Sequence, residues 1–227
     1  MFLFRDTREG GVGDPRVTHV AFTDARLDLA EGAPEQDLVR LREELDVPIV
    51  RMRQVHGCEV AVVHDAERVP TEADALVTDH DGIALLVRVA DCVPILLADP
   101  AHGMIAAVHA GRTGMALGVV PRTLERLRGL GAVELTAWVG PHICGGCYEV
   151  PDALRSEVAA LVPEAWAQTR WGTPALDIGA GVSAQLRAAG CEVIPVGRCT
   201  LEDPELHSYR RDAADSGRFG GLIWVAA

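Results

Sequence analysis

His56, Cys92 and His109 are the residues of this chain best suited to chemistry, and each stands at the mouth of an apolar run. His56 closes an alternating segment from Ile49, Cys92 follows Asp91 between Val89-Ala90 and Val93-Pro94, and His109 ends a run from Met104. Two imidazoles and a thiolate are a donor set for Zn²⁺, with a fourth position left for water or substrate. Their separations match no zinc-finger spacing. From residue types alone, a hydrogen-bonded strand-end histidine, a small core thiol and a histidine capping a turn stay open as alternatives.

Two further clusters carry polar chemistry. Cys144 and Cys147 form a lone C-x-x-C inside Gly140–Glu149. A structural zinc site needs a second pair, and Cys191 and Cys199 are too widely spaced to supply one, so this zinc signal is weak. The glycines there predict a tight turn that brings Cys147 or His142 to a cleft. Ser208-Tyr209-Arg210-Arg211-Asp212, followed by Ser216-Gly217-Arg218, offers arginines for a phosphate or carboxylate. The competing reading is a solvated loop with surface ion pairs.

The elements that must position these residues are short. The spacing predicts strands over 17–22, 49–56, 59–63, 75–78, 83–89, 93–98, 104–109, 134–139, 191–196 and 222–225. It predicts helices over 35–45, from Gly111 through Arg128, 152–161 and 178–189. Gln54 falls on the same strand face as His56, and Asp81-Gly82 reads as a hairpin turn. The polar, Gly-rich stretch Arg5–Asp14 reads as a mobile leader, so residues 1–16 stand apart from one domain spanning 1–227. Adjacent strands mixed with isolated helices predict an α+β (mixed α/β) fold with packed mixed sheets flanked by helices.

Composition narrows the chemistry. The 227 residues carry a net charge of −12, and all 21 basic residues are Arg. With no Lys, a Schiff-base lysine and a P-loop lysine are excluded; with no Asn, so is a Cys-His-Asn protease triad. The acidic balance argues against nucleic acid but permits a local Arg pocket. No signal peptide or apolar run long enough for a membrane span is seen, which predicts a cytoplasmic protein without membrane partners, a monomer or weak homo-oligomer. Six cysteines are too few for a disulfide scaffold.

An ordered set of motifs resembles a known family. Gln54-Val55-His56-Gly57, Ala73-Asp74-Ala75-Leu76-Val77-Thr78 and Ala90-Asp91-Cys92-Val93-Pro94 open it. Ala106-Ala107-Val108-His109-Ala110-Gly111, Gly140-Pro141, Cys147-Tyr148-Glu149-Val150, Cys199-Thr200, Ser208-Tyr209-Arg210-Arg211-Asp212 and Gly217-Arg218 follow in family order. The set resembles the multi-copper polyphenol oxidoreductase (laccase-domain) family, also called the peptidoglycan editing factor or purine nucleoside phosphorylase family. Where that family reads H-A-G-W-R-G, this chain has Arg112 and Thr113, and the family's N-terminal S-L-N-L-G and H-V-G-D segments are absent.

The resemblance implies a fold like that of the cytotoxic-necrotizing-factor class of cysteine hydrolases, with one zinc held by His56, Cys92 and His109. It implies phosphorolysis of purine nucleosides (adenosine, inosine, guanosine, methylthioadenosine) by inorganic phosphate, and deamination of adenosine. In that frame Asp91, Cys92 and His109 are the candidate catalytic residues, and Gln54, Cys147, Arg211 and Arg218 the candidate substrate contacts. Arg112 stands one position before the family's displaced arginine. A multi-copper site is physically poor, since there is no H-x-H pair and no His₂Cys grouping with Met. The rival functions are a Cys92–His109 hydrolase or amidase acting on peptidoglycan precursors, and a non-enzymatic zinc-binding member.

Overall fold

The computed structural model describes residues 1–33, 35–67 and 72–226. In chain order its first half comprises β1 (Phe2–Glu9), β2 (Val17–Thr23), α1 (Glu35–Leu45), β3 (Ile49–Arg51), β4 (Val60–Val62), β5 (Ala75–Thr78) and β6 (Ala84–Val89). There follow β7 (Val93–Asp99), β8 (Met104–Ala110), α2 (Arg112–Leu117), α3 (Val119–Leu130), β9 (Thr136–Val139) and α4 (Asp152–Leu161). The last part holds β10 (Trp166–Gln168), β11 (Pro174–Leu176), α5 (Ile178–Ala188), β12 (Glu192–Pro195), α6 (Tyr209–Asp212) and β13 (Phe219–Ala226). Among the described residues, no helix is long and apolar enough to cross a membrane.

Two mixed sheets face each other. One has the order β1-β2-β13-β6-β3, the other β12-β9-β7-β8-β5-β4. Their inner faces share a core of Phe22, Leu85, Val87 and Ile223 from the first sheet and Leu76, Leu96, Ile105, Ala107 and Trp138 from the second. Helix α1 covers the outer face of the five-stranded sheet through Leu38, Leu41 and Leu45. Helices α3 and α5 cover the outer face of the other through Leu124, Leu127, Val182 and Leu186. Strands β7 and β8 are therefore buried on both faces, which is why they read as unbroken apolar runs without alternation. The α+β architecture with packed mixed sheets agrees with the sequence reading.

Several local expectations are corrected. The leader is a strand: β1 pairs antiparallel with β2 along its length, and Trp138 Nε1 donates to Asp6 Oδ2 at 2.8 Å. Its alternation of half-buried and exposed residues is hidden by charge, which suits a sheet edge exposed to water. Strand β3 stops at Arg51, and β4 does not return beside it but joins the other sheet, parallel to β5. Asp81-Gly82 likewise makes no hairpin, because β5 and β6 belong to opposite sheets. The helix after Gly111 is two helices, broken where Gly118 takes a φ of 85°.

Candidate functional site

His56, Cys92 and His109 converge, with one donor atom from each lying within 4.8 Å of the others. His109 lies in β8 opposite Pro94 of β7, and Cys92 sits in the bend leading into β7, so adjacent strands present both. His56 arrives from the loop after β3 with a φ of 58°, a conformation seldom taken by residues other than glycine. Asp74 explains it. Its carboxylate accepts the backbone N–H groups of Val55 at 3.3 Å, His56 at 3.0 Å and Gly57 at 2.6 Å. Three successive amides curled round one anion form a nest, and that curl sets the left-handed turn.

The same fully buried carboxylate accepts a hydrogen bond from His109 Nδ1 at 2.8 Å. One anion thus orients both imidazoles and leaves His109 Nε2 facing Cys92. Burial opposes ionisation of Asp74, but His109 and the Gly57 amide outweigh it and hold the carboxyl below its ordinary range. Burial would also raise the Cys92 thiol, yet His109 and His56 bring it down to about 6. Conversely, burial would lower His109, while Cys92 and Asp74 raise it to about 9. Both shifts favour the thiolate beside the imidazolium, the direction that lets a bound cation replace the proton. Gly111 leaves no spare room: a Cβ there would lie 3.0 Å from His56 Cδ2 and 3.1 Å from Cys92 Sγ.

His56 and Cys92 open into a cleft of about 240 Å³, with His109 buried behind them. Ile143, Ile178 and the Tyr148 ring supply its apolar walls, and Arg112 and Thr113 its polar one. Burial keeps the Tyr148 hydroxyl protonated beyond its usual range. Asp91, with a φ of 86°, borders the cleft, and its carboxylate accepts Thr200 Oγ1 at 2.6 Å, Ser208 Oγ at 2.7 Å and Arg210 N at 2.6 Å. Arg210 reaches back to the Glu149 carbonyl and lies 4.9 Å from the Tyr148 ring centroid. Asp91 therefore ties the segment from Thr200 to Arg210 against the cleft wall.

A model of the multi-copper polyphenol oxidoreductase laccase family matches residues 3–226. The chain belongs to this family. A purine nucleoside phosphorylase of Streptomyces coelicolor is 50% identical over 185 residues, covering 78% of this chain and 75% of the relative. One of Mycobacterium bovis is 42% identical over 226 residues, covering 96% and 90%. Among solved structures, a Neisseria meningitidis protein matches with a TM-score of 0.82 at 26% identity, covering 100% of this chain and 99% of that one. YlmD from Geobacillus stearothermophilus matches with a TM-score of 0.76 at 27% identity, covering 92% and 91%.

Other family-motif residues singled out in the sequence lie away from the triad cleft. Gln54 does not point at the donors: its amide pairs with the Arg88 backbone, Nε2 to O at 2.7 Å and N to Oε1 at 2.9 Å. The side chain mimics one further rung of the β3–β6 ladder after the strand itself has ended. Arg211 is spent on the carbonyls of Thr200, Asp203 and Leu206 and on Asp212. Arg218 donates to the carbonyls of Ser216 and Gly217. Cys147 lines a different hollow of about 630 Å³, and burial with neighbouring Cys144 and Cys199 pushes its thiol up to about 12. Sequence reasoning missed Asp74, which the chain carries only inside the A-D-A-L-V-T motif, whereas Arg112 stands in the sequence as a departure from the family pattern beside the displaced arginine.

Proposed function

We propose that this chain is a zinc-dependent purine nucleoside phosphorylase acting on adenosine, inosine, guanosine or methylthioadenosine, with deamination of adenosine as a second activity. The supporting observation is the His56–Cys92–His109 donor set, whose His56 and Cys92 line a cleft walled by Arg112 and Tyr148. Relatives covering most of the chain are named for the phosphorylase reaction. The donors fit Zn²⁺: two imidazoles, a thiol already poised to ionise, and a carboxylate bonded behind one imidazole. They fit copper poorly, since among the described residues no further histidine joins the donors and no methionine lines the cleft. Zn²⁺ bound there supplies a Lewis acid for activating water or polarising a substrate atom.

The chain's own residues do the rest. In phosphorolysis, inorganic phosphate attacks the anomeric carbon as the C–N bond to the purine breaks. With no Lys in the chain, Arg112 is the cleft's cation for the phosphate. Ile143, Ile178 and Tyr148 shelter the purine, and the Tyr148 hydroxyl stays available as a hydrogen-bond donor. Asp91 is a positioning residue, because its carboxylate is already saturated by three donors from the Thr200–Arg210 segment. Arg211 keeps that segment folded and does not touch substrate.

One observation favours a second reading. The Cys92 thiol is drawn down and the His109 imidazole drawn up by their mutual proximity, the direction a cysteine hydrolase's nucleophile–base pair also needs. A nucleoside panel with phosphate, scored for free base and ammonia, separates the two using zinc-loaded and metal-stripped protein. Phosphate-dependent base release lost on stripping is expected. No turnover of any nucleoside at full zinc occupancy overturns the phosphorylase reading. Covalent labelling of Cys92 with amide cleavage that survives stripping establishes the hydrolase instead.

A further inference from the structure

The lone C-x-x-C acquires a third cysteine only in the folded chain. Cys144, Cys147 and Cys199 converge with Glu202, one donor atom from each lying within 4.8 Å of all the others. Cys191, the pairing candidate nearer in sequence to Cys199, is not among them. A parallel bridge between His142 and Cys199 sets the juxtaposition, and the Cys144 amide donates to Cys199 Sγ at 3.4 Å. The Cys144–Cys147 turn is closed by Cys147 N and Tyr148 N, which donate to the Cys144 carbonyl at 2.9 Å and 3.0 Å. Glycine is required within it, since a Cβ on Gly145 would lie 2.7 Å from Asp177 Cβ. Beside the cluster, Arg170 donates to Cys147 Sγ at 3.3 Å and forms an ion pair with Glu202.

We propose that Cys144, Cys147, Cys199 and Glu202 form a second, structural Zn²⁺ site, separate from the His56–Cys92–His109 set. Three sulfurs and a carboxylate from two distant segments make a four-donor tetrahedral set. Zn–S bonds of about 2.3 Å place sulfurs about 3.8 Å apart, so the observed spread closes with shifts of about an ångström. An amide aimed at one sulfur and a guanidinium at another meet the negative charge of metal-bound thiolates, and Arg170 offsets part of the site's net charge. No redox step is involved: each thiol releases a proton as its sulfur–metal bond forms.

The site's consequence is architectural. Ile143 and Tyr148, flanking the C-x-x-C turn, line the triad cleft, and Ile143 N donates to the Asp91 carbonyl at 3.0 Å. Thr200, next to Cys199, bonds the Asp91 carboxylate. A metal joining the two segments therefore staples the wall of the triad cleft without entering it.

The test is metal counting on the full chain, stripped and then titrated with Zn²⁺ or Co²⁺ under reducing conditions. Wild type binds two equivalents; H56A/C92S and C144S/C199S each bind one. The Co²⁺ form of H56A/C92S shows an intense thiolate charge-transfer band. C144S/C199S loses about three-quarters of the wild-type band, as three of four candidate thiolate ligands predict. A single equivalent in wild type, abolished in H56A/C92S, overturns the proposal. So does a second equivalent that persists in C144S/C199S. Because H56A/C92S lacks the first site, the result stands whatever the nucleoside panel shows.

Discussion

Replacing Asp74 with Asn tests the claim that one buried carboxylate positions both imidazoles. In the native chain it accepts four N–H groups: His109 Nδ1 and His56 N on Oδ1, Gly57 N and Val55 N on Oδ2. An amide has one acceptor oxygen. If it keeps His109 and His56, its NH₂ faces the amides of Gly57 and Val55, and the 2.6 Å contact becomes a donor–donor clash. One charge-assisted bond lost at about 1.5–3 kcal/mol, plus a weaker one, lowers the stability of the metal-free protein by roughly 3 kcal/mol. The freed turn also leaves His56 without the constraint that holds its φ at 58°. Zinc affinity of the triad is expected to fall about 10- to 100-fold, as for other residues that orient metal-bound histidines. Chelator competition on folded protein measures the affinity, and urea unfolding of the stripped protein measures the stability. D74N that loses stability while keeping wild-type zinc affinity at the triad would refute the positioning argument. Measuring both in the C144S/C199S background confines the readout to the triad.

Four further outcomes are expected. R112A raises the KM for phosphate by about 10- to 100-fold, the loss of one charge-assisted contact, whereas R211A lowers thermal stability instead, since its guanidinium holds three backbone carbonyls. D91N releases the Thr200–Arg210 segment: amide hydrogen exchange there quickens, and unchanged protection would remove Asp91 from the positioning role. Asp99, buried and accepting from Val133 N, His102 Nδ1 and Glu134 N, has its carboxyl held low by these donors against the opposing effect of burial. Its stabilisation is present above the unfolded carboxylate pKa of about 3.9 and is lost as pH falls through the lower folded value. D99N is therefore less stable by about 1–2 kcal/mol at pH 7, a gap that narrows in acid and is read from urea midpoints at both pH values.

Much of the fold was legible because its signals are local. The runs 93–98 and 104–108 are apolar on every residue, and α1 carries Leu38, Leu41 and Leu45 at helical spacing. What misled was punctuation. Asp81-Gly82 has the residues of a hairpin turn, yet Gly82 carries the chain from one sheet to the other. Phe2–Glu9 has a strand's alternation, but its charged residues at a sheet edge resemble a solvated leader. A sequence shows which residues alternate and not which sheet receives them, because both sheets present apolar inner faces.

By itself the sequence determined the inventory: no Lys to bind phosphate, two histidines and a cysteine bordering apolar runs, and motifs in family order. Only the tertiary structure decided which side chains share a space. It set Asp74 between His56 and His109, spent Gln54 and Arg211 on backbone groups, left Arg112 in the cleft, and brought Cys199 to Cys144 and Cys147. The physical reason is that donors and acceptors are satisfied by whatever the packed sheets bring within about 3 Å. That neighbourhood depends on how two sheets stack and register, and residue type and spacing along the chain do not encode it one position at a time.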